Sequence, residues 1–423
     1  MKKSGLGRLS SLAGTFLKTA SSAWWGKLTG RETDGWGALN PKTIDQAVEA
    51  FGELKGLPMK LGQILSYVDN ALPEKARAAF SVLQRQSKPL PLAEVKSIIA
   101  HELQETGAEL VAAMEPTPIA SASIGQVYRA RLKSGQELAV KVQYPGIAEA
   151  ISAEMKIAAS GASLARIFAP GAAVDLLVAE VRDRLLEECD YRNEAQNQNL
   201  FYQFFREHPT IAVPPAHLRY SSEMVITSDW VNGSAFDTWL AQKPSQEQRN
   251  QIGAALYEFY ITSLYRYGMF NADPHPGNYI ISEKQIWFLD YGCVRKFSAE
   301  RIGLMRQLSA AMQVDKKDEI LQAMYALGMN QPLHADYAGT RRLLRGFFAP
   351  ILTEGPRTIE APSATGFSDM LTSKNLLLSL GLPADVLFLI RIKYGLYSIL
   401  GRLGAKCDWH QLEAVAARTA TGS

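Results

Sequence analysis

The stretch Asn271-Ala-Asp-Pro-His-Pro-Gly-Asn278, followed closely by Leu289-Asp-Tyr-Gly292, constrains this chain more than any other. Asp273 and Asn278 stand in a D-x-x-x-x-N spacing. The residues between Asn278 and Asp290 read as two short apolar runs, Tyr279-Ile-Ile and Ile286-Trp-Phe-Leu289, around a polar Ser-Glu-Lys-Gln turn. That pattern predicts a β-hairpin, and a hairpin there brings Asn278 and Asp290 side by side. Phosphoryl transfer needs such a group: two oxygen ligands for Mg²⁺ on nucleotide phosphates and a carboxylate beside the attacking hydroxyl or water. Asp-Pro and Pro-Gly-Asn are also ordinary turn sequences, so the reading depends on what precedes them.

D-x-x-x-x-N followed by an Asp-aromatic-Gly is the order of a kinase catalytic loop and its metal-binding loop. Two upstream elements should accompany it, and both are present. Pro118-Ile-Ala-Ser-Ala-Ser-Ile-Gly-Gln-Val-Tyr-Arg-Ala130 is a small-residue loop running into a strand. After a turn at Lys133–Gln136, Glu137-Leu-Ala-Val-Lys-Val142 is a strand that places Lys141 as the Lys of V-A-I-K, a ligand of the α- and β-phosphates. Ala120, Ala122 and Gly125 stand where a glycine series is usual, which implies a stiffer loop. Lys141 requires an acidic partner, and Glu187, Glu188, Asp190 and Glu194 all qualify by spacing. Met224–Gly233, an apolar strand entering a polar turn, is placed as the hinge that reads adenine, with Asp229 and Val231 as its contacts. A helix over Ile252–Tyr267 leads into the catalytic loop, and helices around Glu300–Leu327 and Leu387–Leu403 complete an α-rich C-terminal part.

Composition narrows the rest. The chain has 423 residues, 47% of them apolar, and a net charge of +3, too small to argue for nucleic acid. No run of eighteen uninterrupted apolar residues occurs, so no transmembrane helix is expected. Cys189, Cys293 and Cys407 are scattered and odd in number, which suits a reducing compartment. Residues 1–30 are basic, with Leu6, Leu9, Leu12, Phe16, Leu17, Ala20 and Trp24 at helical spacing. They suit an amphipathic helix on an anionic membrane surface, a helix docked on the protein itself, a disordered tail, or an organellar transit segment.

With these elements in order, the chain resembles the UbiB (AarF-domain, ADCK) family of atypical kinases, on three further motifs. These are Lys60-Leu-Gly-Gln63 (K-x-G-Q), the Ala-rich loop ending Ser123-Ile-Gly-Gln-Val127, and Glu188-Cys-Asp190 (E-x-D). The resemblance implies an α+β, two-lobed protein-kinase-like fold: a small antiparallel β-sheet N-lobe, an α-rich C-lobe and a helical N-terminal extension. The expected division is a flexible or amphipathic segment over 1–30, the extension over 31–115, the N-lobe over 116–232 and the C-lobe over 233–423. It also implies roles: Glu194 paired with Lys141, Asp273 as the catalytic-loop Asp, and Asn278 and Asp290 on Mg²⁺. Ala120, Ser121, Ala122, Ser123, Gly125 and Val127 would lie along the nucleotide. Lys60, Gly62 and Gln63 would lie over the place of a peptide substrate, tied down by Glu188 and Asp190. Two departures stand out: Ser121 replaces a common Ala, and Tyr291 follows Asp290 in place of Phe.

The family's association with ATP hydrolysis and ubiquinone biosynthesis at membranes makes ATP and Mg²⁺ the expected cofactors. The expected partners are a nucleotide, a membrane lipid or quinone precursor, and quinone-biosynthesis proteins. The expected location is cytoplasmic or peripheral at the inner membrane face, or the mitochondrial matrix in a eukaryote. Two other readings compete. Asp273–Asn278 also fits the D-x-H-x-x-N loop of small-molecule kinases, and the basic N-terminus fits a lipid-binding pseudokinase scaffold.

Overall fold

The computed structural model describes residues 90–122, 124–149, 186–329, 337–360 and 384–418. The basic N-terminal segment, Lys60, Gly62, Gln63 and Ser123 lie outside the described residues. In chain order the first elements are α1 (Leu92–Ala113), β1 (Ala120–Ser121), β2 (Gly125–Arg131), β3 (Glu137–Gln143), α2 (Tyr191–Phe205), β4 (Ile211–Ala212), β5 (Val225–Asp229) and β6 (Ser234–Ala235). There follow α3 (Phe236–Ala241), α4 (Gln246–Tyr267), β7 (Met269–Asn271), β8 (Tyr279–Ser282), β9 (Gln285–Phe288) and β10 (Val294–Lys296). The last are α5 (Ala299–Gln313), α6 (Lys317–Ala326), α7 (Tyr337–Phe348), β11 (Arg357–Thr358), α8 (Ala384–Leu403), β12 (Lys406–Cys407) and α9 (Trp409–Arg418). Two compact units result, divided between Arg192 and Asn193, with Arg219–Thr227 returning to the first.

The first unit is built on a sheet of order β1-β2-β3-β5. Its antiparallel β2–β3 hairpin turns at Gly135, whose φ of +88° favours glycine. Alternation along β3 buries Leu138, Val140 and Val142 and leaves Lys141 on the other, half-buried face. Arg129 and Arg131 both donate to Glu137 across this hairpin. Against β2 and β3 packs α1, through Val95, Ile99 and Leu110. It kinks at Gln104, where φ is +50°.

The second unit has α4 at its centre. Ser245 and Gln248 close a capping box at its start, and Gly268 ends it in the left-handed conformation, φ +64°. Residues on every side of α4 are buried, as befits a helix enclosed by others. One flank meets the sheet β4-β9-β8-β6, where Phe259 stacks on Phe288 with ring centroids 3.6 Å apart. Another meets α9, where Tyr257 lies against Trp409. The apolar stripe of α2 also belongs here, since Phe201 and Phe205 both pack on Phe259. The β8–β9 hairpin forms as expected, with Tyr279 opposite Phe288 and the bend at Glu283 and Lys284. Among the described residues no helix is long and apolar enough to cross a membrane.

This core buries hydroxyls. Tyr257, Tyr265, Tyr279, Tyr291 and Tyr397 are held above the ordinary phenol value of 10.0, chiefly because burial opposes the phenolate. Above that pH the unfolded chain loses these protons while the folded chain keeps them. Stability is therefore complete below pH 10 and falls above it, by about 1.4 kcal/mol per pH unit for each tyrosine. Tyrosinate absorbance should consequently rise together with the loss of helical circular dichroism in an alkaline titration. Independent titration of these phenols in a still-helical protein would contradict the assignment.

Candidate active site

The hairpin predicted from sequence gathers the polar residues of the second unit. β7 delivers the chain to Asn271, and the loop beyond it is closed by its own backbone: His275 N–H donates to the Asp273 carbonyl and Asn278 N–H to the His275 carbonyl, both at 2.9 Å. The His275 ring accepts the Gly277 N–H through Nδ1 at 3.0 Å, which places the ring proton of the neutral imidazole on Nε2. Leu289 N–H donates to the Asn278 carbonyl at 3.0 Å and so joins the two loops at the open end of the hairpin.

Within this group Asn278 Nδ2 donates to the Asp273 carbonyl at 3.2 Å and to Asp273 Oδ2 at 3.1 Å. Its amide nitrogen is thereby committed to Asp273, and Oδ1 is the atom it can present to a cation. Asp290 accepts the Gly292 N–H on Oδ1 at 3.1 Å, which orients the carboxylate. The donor set of Asp273, Asn278 and Asp290 consists of oxygens, the chemistry Mg²⁺ selects over nitrogen or sulfur. The residues present therefore fit that ion.

Glu194 is 2% exposed and sits in the first turn of α2, where the helix dipole favours a carboxylate. The same helix reaches the D-Y-G loop: Asn197 Nδ2 donates to the Tyr291 carbonyl at 3.4 Å, and the rings of Phe201 and Tyr291 lie 5.0 Å apart.

In the first unit the small-residue loop is the turn of a tight hairpin. Ala120 pairs with Val127 and Ser121 with Gln126, while Ala122 N–H donates to the Gly125 carbonyl at 2.9 Å. The Ala122 amide is thus committed to the turn. Gly125 is required by close backbone approach, since a Cβ there would lie 2.4 Å from the Val142 carbonyl oxygen and 3.0 Å from the Tyr191 hydroxyl. Lys141 Nζ lies 4.7 Å from the centre of the Tyr191 ring, a cation–π contact. Gln143 Nε2 donates to the Cys189 carbonyl at 2.9 Å and ties β3 to the Glu188–Asp190 turn. Burial and the neighbouring Glu188 push the Cys189 thiol up to about 12.

At the expected hinge, β5 ends at Asp229, whose N–H donates to the Pro215 carbonyl at 3.1 Å and whose Oδ1 lies 2.7 Å from His217 Nε2. Val231 is buried. Three residues with a part in this geometry were not singled out from the sequence: Asn271, Asn197 and Tyr191. Asn271 Nδ2 donates to the Asp290 carbonyl at 2.7 Å, and its Oδ1 accepts the Asp273 N–H at 3.1 Å.

Comparison with known proteins bears on the family and the fold. A family model described as the ABC1 atypical kinase-like domain matches residues 82–324. Curated relatives include the atypical kinase COQ8, mitochondrial, of Saccharomyces cerevisiae, 29% identical over 64% of this chain and 54% of its own length. The Arabidopsis thaliana protein Activity of bc1 complex kinase 8, chloroplastic, is 32% identical over 67% of this chain and 38% of its own. The probable serine/threonine-protein kinase abkA of Dictyostelium discoideum is 29% identical over 60% and 48%. The chain therefore spans about half the length of the curated relatives it matches. A solved structure, the complex of Rv3197 with erythromycin from Mycobacterium tuberculosis, superposes with a TM-score of 0.61 at 27% identity, covering 90% of this chain and 97% of the other. The fold is α+β and kinase-like, and the chain belongs to the ABC1 atypical kinase-like family, the UbiB/ADCK group.

Proposed function

We propose that this atypical kinase is a Mg²⁺-dependent ATPase that supports isoprenoid-quinone biosynthesis or membrane lipid homeostasis, acting peripherally at a membrane. The observation that carries the enzymatic reading is the gathering of Asp273, Asn278 and Asp290 at one end of the β8–β9 hairpin. Asn278 and Asp290 would hold Mg²⁺, which neutralises charge on the nucleotide phosphates. Lys141 would pair with the α- and β-phosphates and Glu194 would orient it. Asp273 would orient the attacking water and take its proton as the water oxygen bonds to the γ-phosphorus and the bond to the β,γ-bridging oxygen breaks, giving ADP and inorganic phosphate. Ala120, Ser121, Ala122, Ser123, Gly125 and Val127 would border the phosphates. Asp229 would meet adenine through its carbonyl, because its N–H serves Pro215, and Val231 would follow. Lys60, Gly62 and Gln63, with Glu188 and Asp190, would close the site to peptides. The quinone reading is supported by the mitochondrial and chloroplastic kinases among the relatives.

Calorimetric titration of the purified protein with ATP, with and without Mg²⁺, tests this. Binding that tightens with Mg²⁺, together with release of phosphate, is the expected result. No nucleotide binding under either condition would sink the reading. A second reading, a kinase or binder of small organic molecules, is favoured by the structural relative solved as an erythromycin complex and by the D-x-H-x-x-N spacing. A phosphorylated organic product in place of free phosphate would decide for it.

A further inference from the structure

In the second unit, two side-chain amides on different elements reach two consecutive carbonyls of the D-Y-G segment. Asn271, at the end of β7, donates to the Asp290 carbonyl at 2.7 Å. Asn197, on α2, donates to the Tyr291 carbonyl at 3.4 Å. The two asparagines are 4% and 3% exposed, so neither amide exchanges this partner for water at low cost. Asn271 also accepts the Asp273 N–H, and one side chain therefore spans the loop of Asp273 and the loop of Asp290. The aromatic of the same segment is fixed as well. Tyr291 is fully buried, its hydroxyl donates to the Phe288 carbonyl at 3.2 Å, and its ring lies against Phe201 of α2. Gly292 N–H completes the set on Asp290 Oδ1.

From these contacts we propose that Asn271 and Asn197 are positioning residues for Asp290. They hold its backbone so that the carboxylate is in place before a cation arrives, and they tie its position to α2. The inference rests on the reading of Asp290 as a metal ligand. Pre-organisation of this kind lowers the cost of binding, because the loop need not be ordered when the ion binds. It also gives α2, which carries Glu194, a direct mechanical link to the metal loop: a shift of that helix moves the Tyr291 carbonyl and Asp290 with it. A turn asparagine with a purely local role would bond its own loop, whereas Asn271 bonds across two.

The test uses the full chain with Mn²⁺ as the probe, read by the electron paramagnetic resonance signal of free Mn²⁺ in the presence of a non-hydrolysable ATP analogue. Affinity for the analogue in EDTA is measured in parallel. Asn271→Ala is expected to weaken Mn²⁺ binding about tenfold, the scale of the lost hydrogen bond to the Asp290 carbonyl, with affinity in EDTA changed less than about twofold. Asn197→Leu, which keeps the γ-branched shape of the side chain and suits the helix, is expected to weaken Mn²⁺ binding by a smaller factor in the same sense. It carries the test if Asn271→Ala does not fold. Variants that bind Mn²⁺ as the wild type does overturn the proposal, as do variants that lose equal affinity with and without the ion. A wild type that binds the analogue but no Mn²⁺ overturns the metal assignment instead.

Discussion

Asp290→Asn is expected to lower ATP turnover about a thousandfold while leaving the folded protein intact. The substitution keeps the size of the side chain and an oxygen able to accept the Gly292 N–H, so the local hydrogen bond survives. The backbone of the segment is held from elsewhere, by Asn271, Asn197 and the buried Tyr291 ring. What is lost is one negative charge at the place where a cation would meet the phosphates. Charge stabilisation by a bound metal is worth several kcal/mol, and each ~1.4 kcal/mol is a factor of ten in rate. Phosphate release and thermal melting are measured on the same preparation. A rate within tenfold of wild type in a variant that melts normally would remove Asp290 from the chemistry. A large fall in melting temperature would show that the carboxylate serves the fold.

The hairpin that makes Asp290 meaningful was legible because both of its signals are local. Two short apolar runs and a polar turn define Tyr279–Phe288, and the strand pairing in the structure follows them. The strand that carries Lys141 was legible for the same reason, since β3 alternates cleanly. The start of α4 was readable but missed. The sequence expectation began at Ile252, whereas the helix begins at Gln246, one residue after Ser245, in the S-x-x-Q pattern of a capping box. The apolar periodicity drew attention to the interior and away from the polar first turn.

The supporting residues were not legible, because their function depends on long-range partners. Asn271 lies within a motif rich in turn residues, and only the fold shows its amide on Asp290, a residue distant in sequence. Asn197 lies on a polar stretch of α2 that reads as a solvated helix face, and its partner is the Tyr291 carbonyl. Tyr191 reads as a core aromatic, and the ammonium of Lys141 above its ring is a pairing between a helix start and a strand. Among the acidic candidates, burial separates Glu194 and Glu188, both buried, from Glu187 and Asp190. Spacing could not do so, because exposed acidic helix turns have the same sequence pattern. Gly125 illustrates a different limit. No local pattern shows that a Cβ at this position would lie 2.4 Å from the Val142 carbonyl oxygen of the neighbouring strand.

Removing the buried carboxylate of Glu413 is expected to destabilise the protein by roughly 3–5 kcal/mol, the usual cost of stranding one partner of a buried ion pair. Glu413 lies on α9 and is 2% exposed, and Lys393 on α8 lies 3.7 Å from it at 8%. Tyr257 and Tyr265, both on α4, donate to its two oxygens at 2.6 and 3.0 Å. The Lys393 ammonium also sits over the rings of Phe347 and Phe348. Three helices therefore meet at one carboxylate, beside the fully buried Trp409. Glu413→Ala leaves the ammonium and two phenols in an apolar core, and a loss of that size lowers the melting temperature by about 10 °C in a unit of this size. The double variant Glu413→Gln with Lys393→Met separates charge from packing. It removes both charges, keeps an acceptor for one tyrosine and fills the space of the lysine stem, so it is expected to recover most of the stability. If the double variant is as unstable as the sum of its single changes, the ion pair has no energetic coupling and the shape of the α9 docking face accounts for the loss. If Glu413→Ala melts within a degree or two of wild type, α9 is held by Trp409 and its neighbours alone.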